Sequence, residues 1–366
     1  MDETGAPKIR AKASTISDVA LLAGVSAQTV SRVINSSSHV SAATRQKVQT
    51  AIDELGYRPN SVARSLVSRG TKSIGLIMTD FAQGFFPDTT RAIEAFAASR
   101  GYSVHIITAY GAPEHVRSAL EHFRTNQFAG VIVNTSTAEF ATELQDAAIA
   151  GFPVVLMHRT LPGIDSVVMW NGYERGAKLA VDHLLSIGAT KIAFLTTPND
   201  DLIDTDKLRG YKSALAAANI PFDPSLVVRS PHNFDGGFNA IADVLHVHPD
   251  ITGVFVTSDV RAVGALRSLA VSGIKVPEDI AVVAFGGSTM ASMVTPSLST
   301  IRTPRTKMGE MAANALFDLI DGGTPYHLHV HFQPVLEIGE SSLRTPFNSR
   351  AAPDRSSCRL PEVPNS

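Results

Sequence analysis

Apolar residues recur at helical spacing near the start of the chain and in short β-branched runs after it. Ile16, Val19, Ala20 and Ala23 share one helical face, so residues 16–23 predict an amphipathic helix. Ser17 can cap its start, with Asp18 favourable in the positive first turn. Gly24 supplies the turn that follows. Ser26 caps a second predicted helix, 27–35, whose Val30, Val33 and Ile34 pack back on the first with Val25. Ser41 caps a third, 42–55, with Val48, Ala51, Ile52 and Leu55 inward. From residue 73 the pattern changes. Predicted strands are 73–79, 104–108, 130–134, 154–158, 166–169, 191–195, 253–257 and 280–285. Helical patterns fill 87–100, 114–125, 138–150, 174–187, 207–219, 236–247, 260–272 and 304–321. The alternation predicts parallel, doubly wound α/β sheets behind an all-α head.

Ala20 is small where the first two helices must approach, and Gly24 sits four residues later. This spacing is the steric signature of a helix-turn-helix. The outer face of the second helix carries Ala27, Gln28, Thr29, Ser31, Arg32 and Asn35. With Ser17, these are the candidate contacts to base edges and phosphates of DNA. Charge agrees with that role. Residues 8–72 hold ten Lys/Arg against three acids, a net of +7, whereas the whole chain is at −2, leaving −9 for the remainder. A basic end on an acidic body is the electrostatic footprint of a nucleic-acid reader.

The chain has 366 residues, 44% of them hydrophobic, enough for the head and two further lobes. No 18-residue apolar window predicts a membrane span, and residues 1–14 lack the apolar core of a signal segment. The single cysteine, Cys358, precludes an intrachain disulfide. These features lead us to expect a cytoplasmic, nucleoid-associated protein with no membrane partner. Residues 1–13 and the Pro/Ser/Arg-rich 345–366 read as disordered. No phosphate-binding loop, nucleophile elbow or zinc-helix motif occurs, so no catalytic residue and no cofactor is expected. His327, His329 and His331 alternate along a predicted strand and share a face, a possible but unspecific metal pattern. No metal site is expected there.

Specific motifs sharpen the picture. TISDVA (15–20), AGVS (23–26), TVSRVIN (29–35), ELGYRPN (54–60) and VARSL (62–66) resemble the head of the LacI–GalR family of bacterial repressors, and the similarity continues to about residue 342. The resemblance implies a helix-turn-helix domain, 14–59, a hinge helix and linker, 60–72, and a two-lobed periplasmic-binding-protein-like core, 73–344. By the family's topology one lobe takes about 73–171 and 302–330, and the other about 172–301 and 331–342. It places Ala27, Gln28 and Arg32 in the major groove and Asn60, Ala63, Arg64 and Leu66 in a hinge helix, with Leu66 the wedge between base pairs of the minor groove. It implies a homodimer on a palindromic operator, and a small carbohydrate-like effector between the lobes that controls operator affinity.

Ligands bind beyond the carboxyl ends of strands in such sheets. The candidate effector contacts are therefore Phe81, Phe85, His158, Arg159, Trp170, Asn171, Lys207, Phe234, Ser258, Asp259 and Gly286. Trp170, the only tryptophan, suits either stacking on a ring or core packing. Several positions depart from the family pattern. Gly84 replaces a proline, Trp170 an acid, Lys207 an arginine, Ser258 an asparagine, and Gly286-Gly287 a pair of aspartates. Losing acids while Lys207 and Arg159, and His158 if protonated, remain cationic leads us to expect an anionic effector, such as a sugar acid or sugar phosphate, with a neutral sugar or loss of effector control as the alternatives.

Overall fold

The computed structural model describes residues 14–34, 40–57, 71–78, 86–109, 112–134, 141–158, 160–161, 164, 167–170, 172–198, 202–324, 326–330 and 332–343. The chain divides into two compact units, Met1–Thr71 and Lys72–Ser366. The first holds helices α1 (Ile16–Ala23), α2 (Ala27–Ile34) and α3 (Ala42–Leu55). Val19, Ala20, Val30, Val33, Val48 and Ala51 form its core, with Ile16, Ala23, Val25, Ile34, Ile52 and Leu55 packed around them. The predicted apolar faces are those that meet.

The cap of α1 differs from expectation. Thr15, not Ser17, is the N-cap: the Asp18 N–H donates to Thr15 Oγ1 (3.3 Å), and the Thr15 N–H donates back to Asp18 Oδ2 (2.7 Å). Ser17 lies inside the helix, so it cannot offer its hydroxyl to those amides. The reciprocal geometry needs an acid three residues after the cap, which only Thr15 has. Gly24 closes α1 at φ 66°, where its N–H reaches the Ala20 and Leu21 carbonyls. Ser26 and Ser41 cap as predicted: the Thr29 N–H donates to Ser26 Oγ (3.1 Å) and the Thr44 N–H to Ser41 Oγ (3.2 Å).

The second unit contains two six-stranded sheets. In chain order its elements are β1 (Ser73–Met78), α4 (Phe86–Ser99), β2 (Ser103–Thr108), α5 (Pro113–Thr125), β3 (Val131–Asn134), α6 (Ala141–Ile149), β4 (Val154–Met157), β5 (Val167–Met169), α7 (Tyr173–Ser186), β6 (Ile192–Thr196), α8 (Leu202–Ala217), β7 (Val227–Arg229), α9 (Phe234–Val247), β8 (Gly253–Val256), α10 (Asp259–Val271), β9 (Ala281–Gly286), α11 (Met290–Met293), β10 (Ser299–Arg302), α12 (Arg305–Ile320), β11 (His327–His329) and β12 (Val335–Glu337). One sheet runs β11-β5-β4-β3-β1-β2, the other β12-β10-β9-β8-β6-β7. Their central strands are buried on both faces, as parallel strands flanked by helices must be.

Three features lie outside the sequence reading. The short strands β7, β10 and β12 carry too few apolar residues to register as runs. β12 pairs antiparallel with β10, so the second sheet is mixed. Helix α8 begins at Leu202, five residues before the predicted start, which puts Asp204 and Lys207 one turn apart on one helix. The chain passes between the sheets three times: from β5 to α7, from β10 to α12, and from β11 to β12.

The corrected cap has a direct test. Thr15→Ala should speed amide hydrogen exchange across α1 about fivefold, the equivalent of roughly 1 kcal/mol for a lost cap. Ser17→Ala should leave it unchanged, and the reverse pattern would return the cap to Ser17.

Candidate functional site

On α2, Ala27, Gln28 and Arg32 are exposed, while Thr29 and Ser31 are half-buried. The buried Val30 and Val33 hold the opposite face, so these polar side chains share the side turned outward. The Thr29 hydroxyl lies 2.9 Å from Ser26 Oγ and takes part in the cap. Ser17 is exposed on α1. Asn35, Asn60, Ala63, Arg64 and Leu66 lie outside the described residues.

In the core, strand ends gather a buried charge network that the sequence only partly disclosed. Asp204 Oδ2 accepts from Thr196 Oγ1 (2.8 Å), the Thr197 N–H (3.1 Å), Thr197 Oγ1 (2.8 Å) and Thr257 Oγ1 (3.2 Å). These threonines stand at the ends of β6 and β8. Lys207 Nζ donates to Asp204 Oδ1 (2.9 Å) and to the Thr257 carbonyl (3.0 Å). Its ammonium also lies 4.8 Å from the centre of the Phe285 ring. Arg261, wholly buried, donates to Thr257 Oγ1 (2.6 Å) and Ser258 Oγ (3.2 Å), with Nη2 at 3.8 Å from Asp204. Burial alone would raise the Asp204 pKa. The charges of Lys207 and Arg261, with hydrogen bonds from Lys207 and Thr197, hold it below the ordinary carboxylate range instead.

A second cluster surrounds Asp259. Its carboxylate accepts from Thr300 Oγ1 (2.6 Å) and the Ser288 N–H (2.7 Å), and Arg305 lies 3.8 Å from it and 3.8 Å from Asp88. Arg305 opens α12, which packs on the first sheet, whereas Asp259 opens α10 beside the second. Gly286 makes room for the pair: a Cβ there would stand 2.5 Å from both Arg305 Nη2 and Asp259 Oδ2. The absent side chain at 286 therefore leaves a site filled by a guanidinium and a carboxylate together.

His158 follows β4 in the left-handed region, φ 73°. Nε2 lies 2.9 Å from Asn134 Oδ1, and Nδ1 lies 3.1 Å from the hydroxyl of Tyr173, the first residue of α7. A neutral ring with its proton on Nε2 satisfies both contacts, donating to Asn134 and accepting from Tyr173. Burial, then the charge of Lys207, lowers its pKa to about 4. His232, just before α9, is lowered to about 3 by burial and then by Arg261. Asn134 Nδ2, also buried, has no hydrogen-bond partner among the described residues.

Trp170 is 3% exposed and meets Tyr173 edge-on at 4.8 Å, with Phe285 at 6.3 Å. Its indole N–H donates to the Phe332 carbonyl (2.7 Å), tying the β5–α7 passage to the β11–β12 passage. Of the two roles open to Trp170, this geometry displays packing. Phe234 is 39% exposed at the head of α9, stacked at 6.4 Å on Phe238. Phe81, Phe85, Arg159 and Asn171 lie outside the described residues, as does His331.

The expected positive excess in the cleft counted Lys207, Arg159 and His158. Lys207 is answered by Asp204, and His158 is neutral at physiological pH. Asp88, Asp204 and Asp259 stand against Lys207, Arg261 and Arg305, an even balance among these described groups. Sequence reading missed Asp204, Arg261, His232, Arg305 and Asn134. The signal for Asp204 was its spacing of three from Lys207, hidden by the late predicted start of α8.

Comparison with known proteins finds matches to both parts of the chain. Residues 15–60 match the family model described as bacterial regulatory proteins, lacI family, and residues 181–342 match the periplasmic binding protein-like domain. The chain is 34% identical over 339 residues to the HTH-type transcriptional regulator CelR of Thermobifida fusca, covering 91% of this chain and 99% of the relative. It is 32% identical over 324 residues to the ribose operon repressor of Escherichia coli (strain K12), covering 88% and 98%. Among solved structures, the transcriptional regulator CelR–cellobiose complex matches with a TM-score of 0.67 and 32% identity over 90% of this chain and 99% of that one. The lac repressor dimer bound to operator and the anti-inducer ONPF matches with a TM-score of 0.79 and 28% identity over 91% and 100%. These relatives are transcriptional regulators and not enzymes.

The His158 assignment predicts a pH effect. Its pKa is about 4 when folded against an ordinary 6.5. Between those values the unfolded chain binds more protons, so the contribution is complete above pH 6.5 and is lost as the pH falls through the window. It amounts to roughly 3 kcal/mol. Denaturant titrations of wild type and His158→Gln across this range should give the wild type the steeper loss; equal slopes would refute a buried neutral imidazole.

Proposed function

Because this chain belongs to the LacI family of bacterial transcriptional regulators, we propose that it is a repressor whose grip on operator DNA is set by a small carbohydrate held between the two lobes of its core. The observation that carries the DNA reading is α2 itself. Its apolar face is buried against α1 and α3, while Gln28 and Arg32 stand exposed on the other. Gln28 can pair with adenine through two hydrogen bonds, Arg32 with guanine or phosphate, and Ala27 can touch a thymine methyl. A homodimer would carry two such heads to the half-sites of a near-palindrome. The solved lac repressor relative is a dimer on its operator, which supports this arrangement. The hinge around Leu66 would then complete the contact in the minor groove.

The effector reading rests on convergence of strand ends. Asn134 and His158 from one sheet meet Tyr173, Lys207 and Phe285 from the other side. Asn134 Nδ2 and the third N–H of Lys207 are donors suited to hydroxyl oxygens, and the Tyr173–Phe285 pair offers an apolar wall. The even charge balance among the described groups, Asp88, Asp204 and Asp259 against Lys207, Arg261 and Arg305, favours a neutral carbohydrate over a sugar acid or sugar phosphate. Cellobiose in the CelR complex is such a neutral sugar. Binding would shift the two lobes between arrangements and change operator affinity, a coupling of about 1–3 kcal/mol that acts reciprocally.

Two measurements test this reading. In gel shifts against a palindromic promoter site, Arg32→Ala should weaken binding, and Gln28→Ala should relax preference at one base position by about 1–3 kcal/mol. Unchanged base preference in Gln28→Ala would displace α2 from the major groove. Calorimetric titration with neutral sugars, aldonates and sugar phosphates should give binding to a neutral sugar, and exclusive binding of an anion would reverse the charge argument.

A further inference from the structure

We propose that Asp204 is the specificity-determining residue of the cleft: by neutralising Lys207 it excludes anionic effectors and leaves the site to neutral polyhydroxylated ones. This rests on the effector site placed above, and it assigns the selection to one carboxylate.

Lys207 is the cation that overhangs the Tyr173–Phe285 wall, 6.0 Å and 4.8 Å from the two ring centres. It is 6% exposed, so solvent screens it little. A buried ammonium of this kind attracts a carboxylate or phosphate strongly unless a counter-ion already answers it. Asp204 Oδ1 is that counter-ion at 2.9 Å, one helical turn away on α8.

The other acids are engaged elsewhere. Asp259 receives Thr300, the Ser288 amide and Arg305, and Asp88 also lies beside Arg305. Arg261 donates to Thr257 and Ser258 and faces Asp204 from 3.8 Å, farther than Lys207 does. With Asp204 charged, these three described acids and three described bases balance; without that charge Lys207 loses its partner at 2.9 Å and Arg261 its neighbour at 3.8 Å, and of the two it is Lys207 that lies over the Tyr173 and Phe285 rings. Asp204 itself is not a ligand group. Five hydrogen bonds already converge on its carboxylate, from Thr196, Thr197 twice, Thr257 and Lys207. Its effect on a guest passes through Lys207, which makes it a positioning residue with control over charge.

The test uses full-length protein and matched pairs, cellobiose with cellobionate and D-ribose with D-ribonate, titrated calorimetrically. Wild type should favour the neutral member. Asp204→Asn, of the same shape without the charge, should raise the anion-to-neutral affinity ratio on the order of tenfold or more. Lys207→Gln should lower that ratio, and the double variant Asp204→Asn/Lys207→Gln should return it toward wild type. An unchanged ratio in Asp204→Asn overturns the proposal, as does a wild type that prefers the aldonate.

Inorganic phosphate supplies a readout independent of any sugar. It should stabilise Asp204→Asn saturably against heat and leave wild type and the double variant at the level of an ionic-strength control. Equal response of all three overturns the role of Asp204. If Asp204→Asn fails to fold, an anion-to-neutral ratio in Lys207→Gln equal to that of wild type does the same. Failure of wild type to bind any sugar would instead defeat the effector reading, and phosphate would still decide Asp204.

Discussion

An ionised side chain taken out of water must find partners, and this requirement organises the core around the ends of its parallel strands. Lys207, Arg261 and Arg305 are all nearly inaccessible, and removing such charges from water costs several kcal/mol apiece unless it is compensated. Compensation comes from Asp204 and Asp259, each fixed in turn by threonine hydroxyls and backbone amides of the strand ends. The strands thus do more than shape a cleft. Their terminal threonines orient the acids, the acids hold the bases, and one of the bases, Lys207, lies over the Tyr173 and Phe285 rings. The pleated sheet sets positions that flexible side chains could not keep by themselves.

The same requirement explains what could and could not be read from the sequence. The head was legible because its information is local: Ile16, Val19, Ala20 and Ala23 are spaced for one helix face, and Gly24 follows where a left-handed turn is needed. Thr15 was legible too, since an acid three residues later marks a capping box, yet Ser17 drew the assignment. Most strands of the sheets appeared as apolar runs, because both their faces are covered. β7 and β12 did not, being short edge strands, nor did β10, which is internal and buried but has Ile301 as its one apolar residue. Among candidate site residues, His158 and Lys207 were visible as strand-end and helix positions. The neutral state of His158 was not, since it depends on burial and on Lys207, 49 positions away in the chain, and the pairing of Lys207 with Asp204 was hidden by the late predicted start of α8. Arg261 lies within the predicted helix 260–272, where nothing local marks it as buried; its partners Thr257, Ser258 and Asp204 come together with it only in the fold.

Gly286 and Arg305 show how an absence in sequence becomes an occupied volume in structure. Losing a side chain at the end of β9 would ordinarily open a gap. Here the guanidinium of Arg305 comes from a helix that belongs with the other sheet and reaches the carboxylate of Asp259 across that gap. His158 and Tyr173 form a second bridge between the two halves, and the Trp170–Phe332 hydrogen bond joins two of the three passages between them. Any sliding of one half against the other must strain or exchange these contacts together, which favours a change between two discrete arrangements over continuous drift.

Trp170 is the only indole in the protein, and it stands where the chain leaves the first sheet, sealed by Tyr173, Phe285 and the Phe332 carbonyl. Indole emission depends on burial and on the hydrogen bond at its ring nitrogen. The molecule therefore carries its own optical gauge where the chain passes between the sheets, with no second fluorophore of its kind to blur the signal and no need for an attached dye.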